Sequence, residues 1–136
     1  MSTVQYSVQV RNAMMDAWET TIGPGMRIRL YTLAKPASTV ATETGTLLVE
    51  WVMPSDAAPN ATGGVKTLSG APIESNAVAD GVAGHYSIYD STGTTRHEQG
   101  SVTGEGGGGD SIIDNATFVD GQQVNIQSWS KTAPGA

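Results

Sequence analysis

Apolar residues recur along this chain with two different periods, and the change from one to the other divides it. From Thr3 to Ile22, Val4, Val8, Met15, Trp18 and Ile22 return at intervals of three and four, interrupted by Arg11 and flanked by Met14 and Ala17. That spacing predicts one amphipathic helix. Ser2 or Thr3 is placed to cap its start, and Gly23-Pro24-Gly25 to stop it with a glycine followed by a residue that cannot continue. Over Gln5–Val10 a strand competes, because Tyr6, Val8 and Val10 also alternate.

After Gly25 the period becomes two. Met26, Ile28 and Leu30 alternate with Arg27, Arg29 and Tyr31, giving a strand with one apolar and one basic-aromatic face. Lys35–Gly45, rich in Pro, Ala, Ser and Thr, reads as a loop. Thr46–Met53 is apolar on both faces, which predicts a central strand. Pro54–Gly64 reads as a surface loop, and Val65–Leu68 and Ile73–Val78 as short strands. Val82–Tyr89 and Thr94–Val102 flank the turn Asp90-Ser91-Thr92-Gly93 as a hairpin. Gly104–Gly109 reads as a flexible loop. Ile112–Val119 and Gln122–Trp129 meet at Asp120-Gly121 as a second hairpin, and Lys131–Ala136 is a flexible tail. One helix with about seven or eight short strands predicts a mainly β chain, an antiparallel β-sandwich or jelly roll. All 136 residues form one domain in this reading, with the helix in residues 1–24 and the tail in residues 131–136.

Composition supports the β reading and narrows the chemistry. Charged residues make up 15% of the chain, and there are 17 glycines, a mixture that suits extended strands better than helices. A net charge of −6 with only seven basic residues lacks the footprint that phosphate binding needs. Neither nucleic acid nor an anionic membrane is an expected partner. The chain has no cysteine, so disulfides, thiolate nucleophiles and thiolate metal sites are excluded together. The first residues show no secretion signal, and no apolar run is long enough for a membrane span.

Few residues carry a chemical signature. Gly104, Gly106 and Gly109 have the spacing of a dinucleotide fingerprint but lack the strand before and the helix after that the mechanism requires. The same run matches one imperfect calcium nonapeptide repeat, where stacked copies are needed. His85 and His97 have no partner at metal-ligand spacing and read as surface histidines. No G-x-S-x-G elbow is present, and the scattered acids offer only chance pairs. No catalytic residue, metal or cofactor is therefore expected. Among the tryptophans, Trp51 reads as core and Trp18 as the helix-to-sheet contact. Trp129, on the polar face of the last strand, reads as an exposed interface anchor. Tyr31 with Arg27 and Arg29 forms a second candidate patch, and Tyr89 is a further exposed aromatic.

Leu30-Tyr31-Thr32 with Lys35-Pro36-Ala37, Gly45-Thr46-Leu47-Leu48, Tyr86-Ser87-Ile88-Tyr89-Asp90-Ser91-Thr92-Gly93, Gln99-Gly100-Ser101-Val102 and Gly121-Gln122-Gln123-Val124 together resemble small virion proteins encoded beside the capsid genes of tailed bacteriophages. The resemblance spans about Leu30 to Trp129. It implies a head decoration or cement protein, non-enzymatic, gripping the outside of the shell. The implied partners are the major capsid protein and further copies of the chain, as a dimer. It further implies synthesis in the bacterial cytoplasm and a place on the capsid exterior. A minor tail or fibre-associated protein is the nearest alternative. A carbohydrate-binding sandwich with sugars stacked on Trp129, Tyr31 and Tyr89 is the alternative from another class. Under the cement reading, deleting Lys131–Ala136 or changing Trp129→Ala weakens particle association and leaves the fold intact.

Overall fold

A computed structural model describes residues 4–69 and 73–136. The chain is mainly β, with one helix near the N-terminus and several antiparallel sheets, consistent with a β-sandwich. Helix α1 runs Val8–Ile22. Ser2 and Thr3 lie outside the described residues, and the cap is Ser7, whose hydroxyl accepts from the Val10 amide at 3.2 Å. The helix starts later than its apolar spacing suggests because Val4 and Val8 are half-exposed and add nothing to the core. Its buried side is Arg11, Met15 and Ile22, with Trp18 packed alongside. Gly23, at φ +90°, ends it by donating its N–H to Glu19 O at 2.9 Å.

Among the described residues ten strands follow: β1 Arg27–Thr32, β2 Leu47–Val52, β3 Val65–Thr67, β4 Ile73–Asn76, β5 Gly81–Tyr89, β6 Arg96–Gly104, β7 Ser111–Ile113, β8 Thr117–Phe118, β9 Gln123–Ile126 and β10 Ser130–Thr132. The main sheet has the order β2-β1-β5-β6-β7, with β8 on β5, and β10-β3 and β4-β9 form two small sheets. Register across the centre sets Ile28 opposite Ile88 and Trp51, and Leu30 opposite Tyr86 and Val49. With Met26, Met53 and Phe118 these residues build the core on one side of the sheet. The alternation read in β1 is therefore the alternation observed.

Four expectations change. Strand β2 lies at the sheet edge instead of the centre. Its apolar faces are covered because β4 and the residues after it lie along that edge, with Val78 N–H donating to Leu48 O at 2.8 Å and the Ser75 hydroxyl to Glu50 O at 2.5 Å. The turn at Asp120-Gly121 forms, with Gln122 N–H on Val119 O at 3.0 Å, but its arms do not pair. Residues 77–80 intervene: Ala77 exchanges hydrogen bonds with Gly121 and Gln122, and Asp80 Oδ1 accepts from Asp120 N–H. Strand β8 is thereby sent to β5 and β9 to β4. The glycine run is a turn held by Gly109 N–H on the Thr103 hydroxyl and by mutual bonds between Ser101 and Asp110, and it lets β7 return parallel to β6. The loop 54–64 is not wholly at the surface, since Ala57, Ala58 and Ala61 are buried beneath α1 or in the core.

The last residues are also engaged with the body of the chain. Strand β10 pairs with β3, Ala133 is buried, and Ala133 O accepts from the buried Arg11 guanidinium at 2.9 Å. Its own N–H donates to Gly64 O at 2.8 Å, and Gly135 O accepts from Tyr6 N–H at 2.8 Å. The segment expected as a tail thus supplies the acceptors that let Arg11 sit inside.

Candidate functional site

The alternation that points Ile28 and Leu30 into the core turns Arg27, Arg29 and Tyr31 to the opposite face of the main sheet. Their cross-strand partners there are Tyr89, Ser87 and His85 of β5 and, for Arg29, Glu50 of β2. Four of the five residues singled out from sequence, Arg27, Arg29, Tyr31 and Tyr89, are thus gathered in one place. They are not an open patch. Residues 33–46 cross this face as a strap, and Tyr31 and Tyr89 are each only 7% exposed. Arg27 and Arg29 are partly exposed and share Glu50, at 2.7 and 2.5 Å, and the Arg29 guanidinium lies 4.5 Å above the Tyr89 ring.

The strap is fixed at both ends by close backbone approach. Leu33 has φ +68°, a left-handed conformation costing about 1 kcal/mol for a residue with a Cβ. Its carbonyl accepts from the His85 Nδ1–H at 2.9 Å. A Cβ at Gly84 would strike that same carbonyl, and one at Gly45 would strike Thr32 O, so both positions require glycine. Between these ends the strap offers backbone carbonyls to β6: Gln99 donates to Pro36 O at 2.9 Å, and Arg96 Nη2 donates to Ser38 O and Ala41 O.

Glu43 reaches down from the strap and is the centre of the arrangement. Its Oε1 lies 2.7 Å from His85 Nε2, and its Oε2 accepts from the Ser87 and Tyr89 hydroxyls, both at 2.8 Å, and pairs with Arg96 Nη1 at 3.0 Å. Burial works to raise the Glu43 carboxyl. Hydrogen bonds from His85, Tyr89 and Ser87 and the Arg96 charge outweigh it and hold the group below its ordinary 4.5. Burial first, then the bond to Glu43, push the Tyr89 hydroxyl up to about 12. His85, expected at the surface, is fully buried and stacked on Tyr31 with centroids 5.2 Å apart.

Chemically the cluster is closed. Both Glu43 oxygens are occupied by protein donors, both His85 nitrogens face protein acceptors, and the Ser87 hydroxyl is spent on a carboxylate instead of an imidazole base. Against it lies a shallow cavity of about 410 Å³, lined by Thr39–Glu43 of the strap, Thr94–Arg96 of the β5–β6 turn and Tyr89, so that Glu43, Tyr89 and Arg96 of the cluster form part of its wall. Among the described residues no group of His, Cys, Asp and Glu is arranged to hold a metal ion, and no helix is long and apolar enough to cross a membrane.

Trp129 stands apart from this face, and it is not the exposed anchor expected from its neighbours. It is half-buried against the core, with its ring 5.4 Å from Trp18. Trp18 donates to Glu98 Oε1 at 2.8 Å, while Lys131 and Tyr86 both reach Glu98 Oε2 at 2.6 Å. Trp129 turns inward because β9 ends at Ile126, so the alternation that would carry it outward is broken before it.

Sequence reasoning missed the buried charges. Lys66 is 2% exposed, with Nζ 2.8 Å from Glu19, 3.0 Å from Asp16 and 3.0 Å from Pro59 O. Burial alone would lower its pKa, but the two carboxylates more than compensate and raise it. The readable signal was Asp16 and Glu19 one helical turn apart on a helix with no basic residue near them on that side. Compared with known proteins, the chain matches no protein family, no curated protein and no solved structure.

Proposed function

We propose that this chain is a non-enzymatic virion protein of a tailed bacteriophage that binds the outside of the capsid shell and stabilises it, with the major capsid protein and further copies of itself as partners. The observation that carries the reading is the closed Glu43 network. Residues of the types that perform chemistry are engaged with one another in fastening a strap onto a sheet. What remains outward is isolated apolar side chains on loops and short strands: Val40 at 93% exposure, Leu33, Val82, Ile112 and Val119. Such a surface suits many modest contacts, multiplied by the repetition of a shell, better than one deep pocket. The resemblance in Leu30–Trp129 points the same way. The stacked-sugar alternative loses its platform, since Tyr31 and Tyr89 are buried and Trp129 is half-buried.

The test is shell melting. Calorimetry of capsids with and without bound protein should show a later transition when it is bound, because a ligand of the assembled state stabilises it by mass action. Identical melting with saturating protein refutes the cement role.

A further inference from the structure

Only one placement of protons satisfies the groups beneath the strap. His85 is fully buried between two oxygen acceptors, with Nδ1 2.9 Å from Leu33 O and Nε2 2.7 Å from Glu43 Oε1. A carbonyl can only accept, and so can an ionised carboxylate. Either neutral tautomer of the ring therefore sets a bare nitrogen against an oxygen. Both contacts are made only when Nδ1 carries a proton and a second proton lies between Nε2 and Oε1. Glu43 is kept ionised by Arg96 and the Ser87 and Tyr89 hydroxyls on its other oxygen, which leaves that second proton on the ring.

The closed strap depends on such polar ties, because little else holds it down. Of residues 33–46 only Pro36 is buried, and the core lies on the other side of the sheet. Closing also has costs. Leu33 is left-handed at φ +68°. Arg96 and Gln99 both donate to strap carbonyls, yet Arg96 Nε and Gln99 Oε1 are buried there with no hydrogen-bond partner.

We infer that the strap is a proton-keyed latch: it stays shut while Glu43 and His85 share one proton, and it lifts from a sheet that remains folded when base removes that proton. The sign follows from counting protons. A histidine side chain in water loses its proton at about pH 6.5. Above that pH the shut strap holds one proton more than the open strap, so each further pH unit favours opening by up to about tenfold. In acid the latch fails differently: the Glu43 contribution, complete above its ordinary 4.5, is lost as pH falls through its lower folded value. Arg96 of β6 and Tyr89 of β5 face the pair directly, and Tyr31 of β1 stacks on the imidazole. Arg29 of β1, paired with Glu50 of β2, lies over Tyr89. The arginines keep their charge in mild base, and Tyr89, pushed up to about 12 by burial and by Glu43, keeps its proton there.

The latch is separate from shell binding and is read on the free protein. The chain has two histidines, His85 and His97. Long-range nitrogen–proton NMR should show both ring nitrogens of His85 protonated at neutral pH. Amide exchange at residues 33–46, corrected for the base dependence of the chemical step, should report up to about tenfold more opening per pH unit above about pH 6.5. Residues of β1 and β5 should keep their protection over the same range. His97→Asn should leave the profile as it is, and His85→Gln should flatten it; the parent decides the matter even if His85→Gln does not fold. A bare ring nitrogen on His85 at neutral pH, or strap protection unchanged from about pH 6 to about pH 9, overturns the inference. So does loss of strap and sheet protection together, which makes the strap part of the cooperative fold and no latch.

Discussion

Changing Glu43→Gln keeps the size of the side chain and removes the charge on which the strap converges. One carboxylate now serves His85, Ser87, Tyr89 and Arg96. An amide has a single acceptor oxygen, and in neither orientation does it restore the negative charge that Arg96 faces. If the NH₂ takes the place of Oε2 it faces Ser87, Tyr89 and Arg96 together, and if it takes the place of Oε1 it faces His85. Arg96, with its side chain 3% exposed, loses its counter-ion and keeps only neutral acceptors. Breaking one partner of a buried pair costs about 3–5 kcal/mol. The surviving carbonyl contacts place the expected loss near the lower end, about 3 kcal/mol, a large part of a stability of roughly 5–15 kcal/mol. Urea unfolding followed by tryptophan fluorescence reads the loss. Hydrogen exchange at residues 33–46 shows whether the strap opens first or the sheet falls with it. Glu50→Gln, whose pairs with Arg27 and Arg29 are partly exposed, should cost about 1 kcal/mol or less. If Glu43→Gln stays within 0.5 kcal/mol of the parent, with parental exchange in the strap (about the scatter of neutral surface changes), the clamp does not work as described.

The same carboxyl sets a pH dependence. Glu43 lies below its ordinary 4.5 in the folded state, so its contribution is complete above about that pH and is lost as pH falls through the folded value. Acid denaturation should open the strap early, and Glu43→Gln should remove that portion of the acid limb in a pH series of urea melts. Lys66→Met leaves Glu19 and the partly exposed Asp16 without their cation and should lower stability at neutral pH, chiefly through Glu19. Because Lys66 helps hold Glu19 below its ordinary value, the difference should narrow as pH falls through the folded value of Glu19; a constant difference down to pH 3 contradicts the pairing. Truncation after Ser130 removes the Ala133 carbonyl from Arg11 and Lys131 from Glu98, so it should lower stability by about 2–4 kcal/mol, against the expectation that the fold is indifferent to it. Parental denaturation of the truncated chain would return residues 131–136 to the status of a tail.

What was legible in the sequence was what depends on neighbours along the chain. The period change at Gly25, the inward side of β1 and the turn at Asp90–Gly93 all follow from local sterics and alternation, and they appear in the fold. Partner choice between distant segments was not legible. The Asp120-Gly121 turn forms as its residues dictate, yet residues 77–80 decide where its arms go. Burial of polar groups was likewise hidden, because it depends on acceptors from far away: Leu33 O and Glu43 for His85, Ala133 O for Arg11, Asp16 and Glu19 for Lys66. Arg27, Arg29 and Tyr31 were correctly read as sharing a face, which Tyr89, read only as a further exposed aromatic, joins across β5. That a loop of small polar residues would close over them requires knowing that Glu43 finds four donors beneath it.

The central claim is that this module adheres to a shell, and counting it in purified particles tests that most directly. Quantitative mass spectrometry of virions from a phage that encodes the chain should give copies in the hundreds, in fixed proportion to the major capsid protein, and all of them should be accessible to labelling from outside. A handful of copies per particle would assign it to the tail, and none would remove it from the virion.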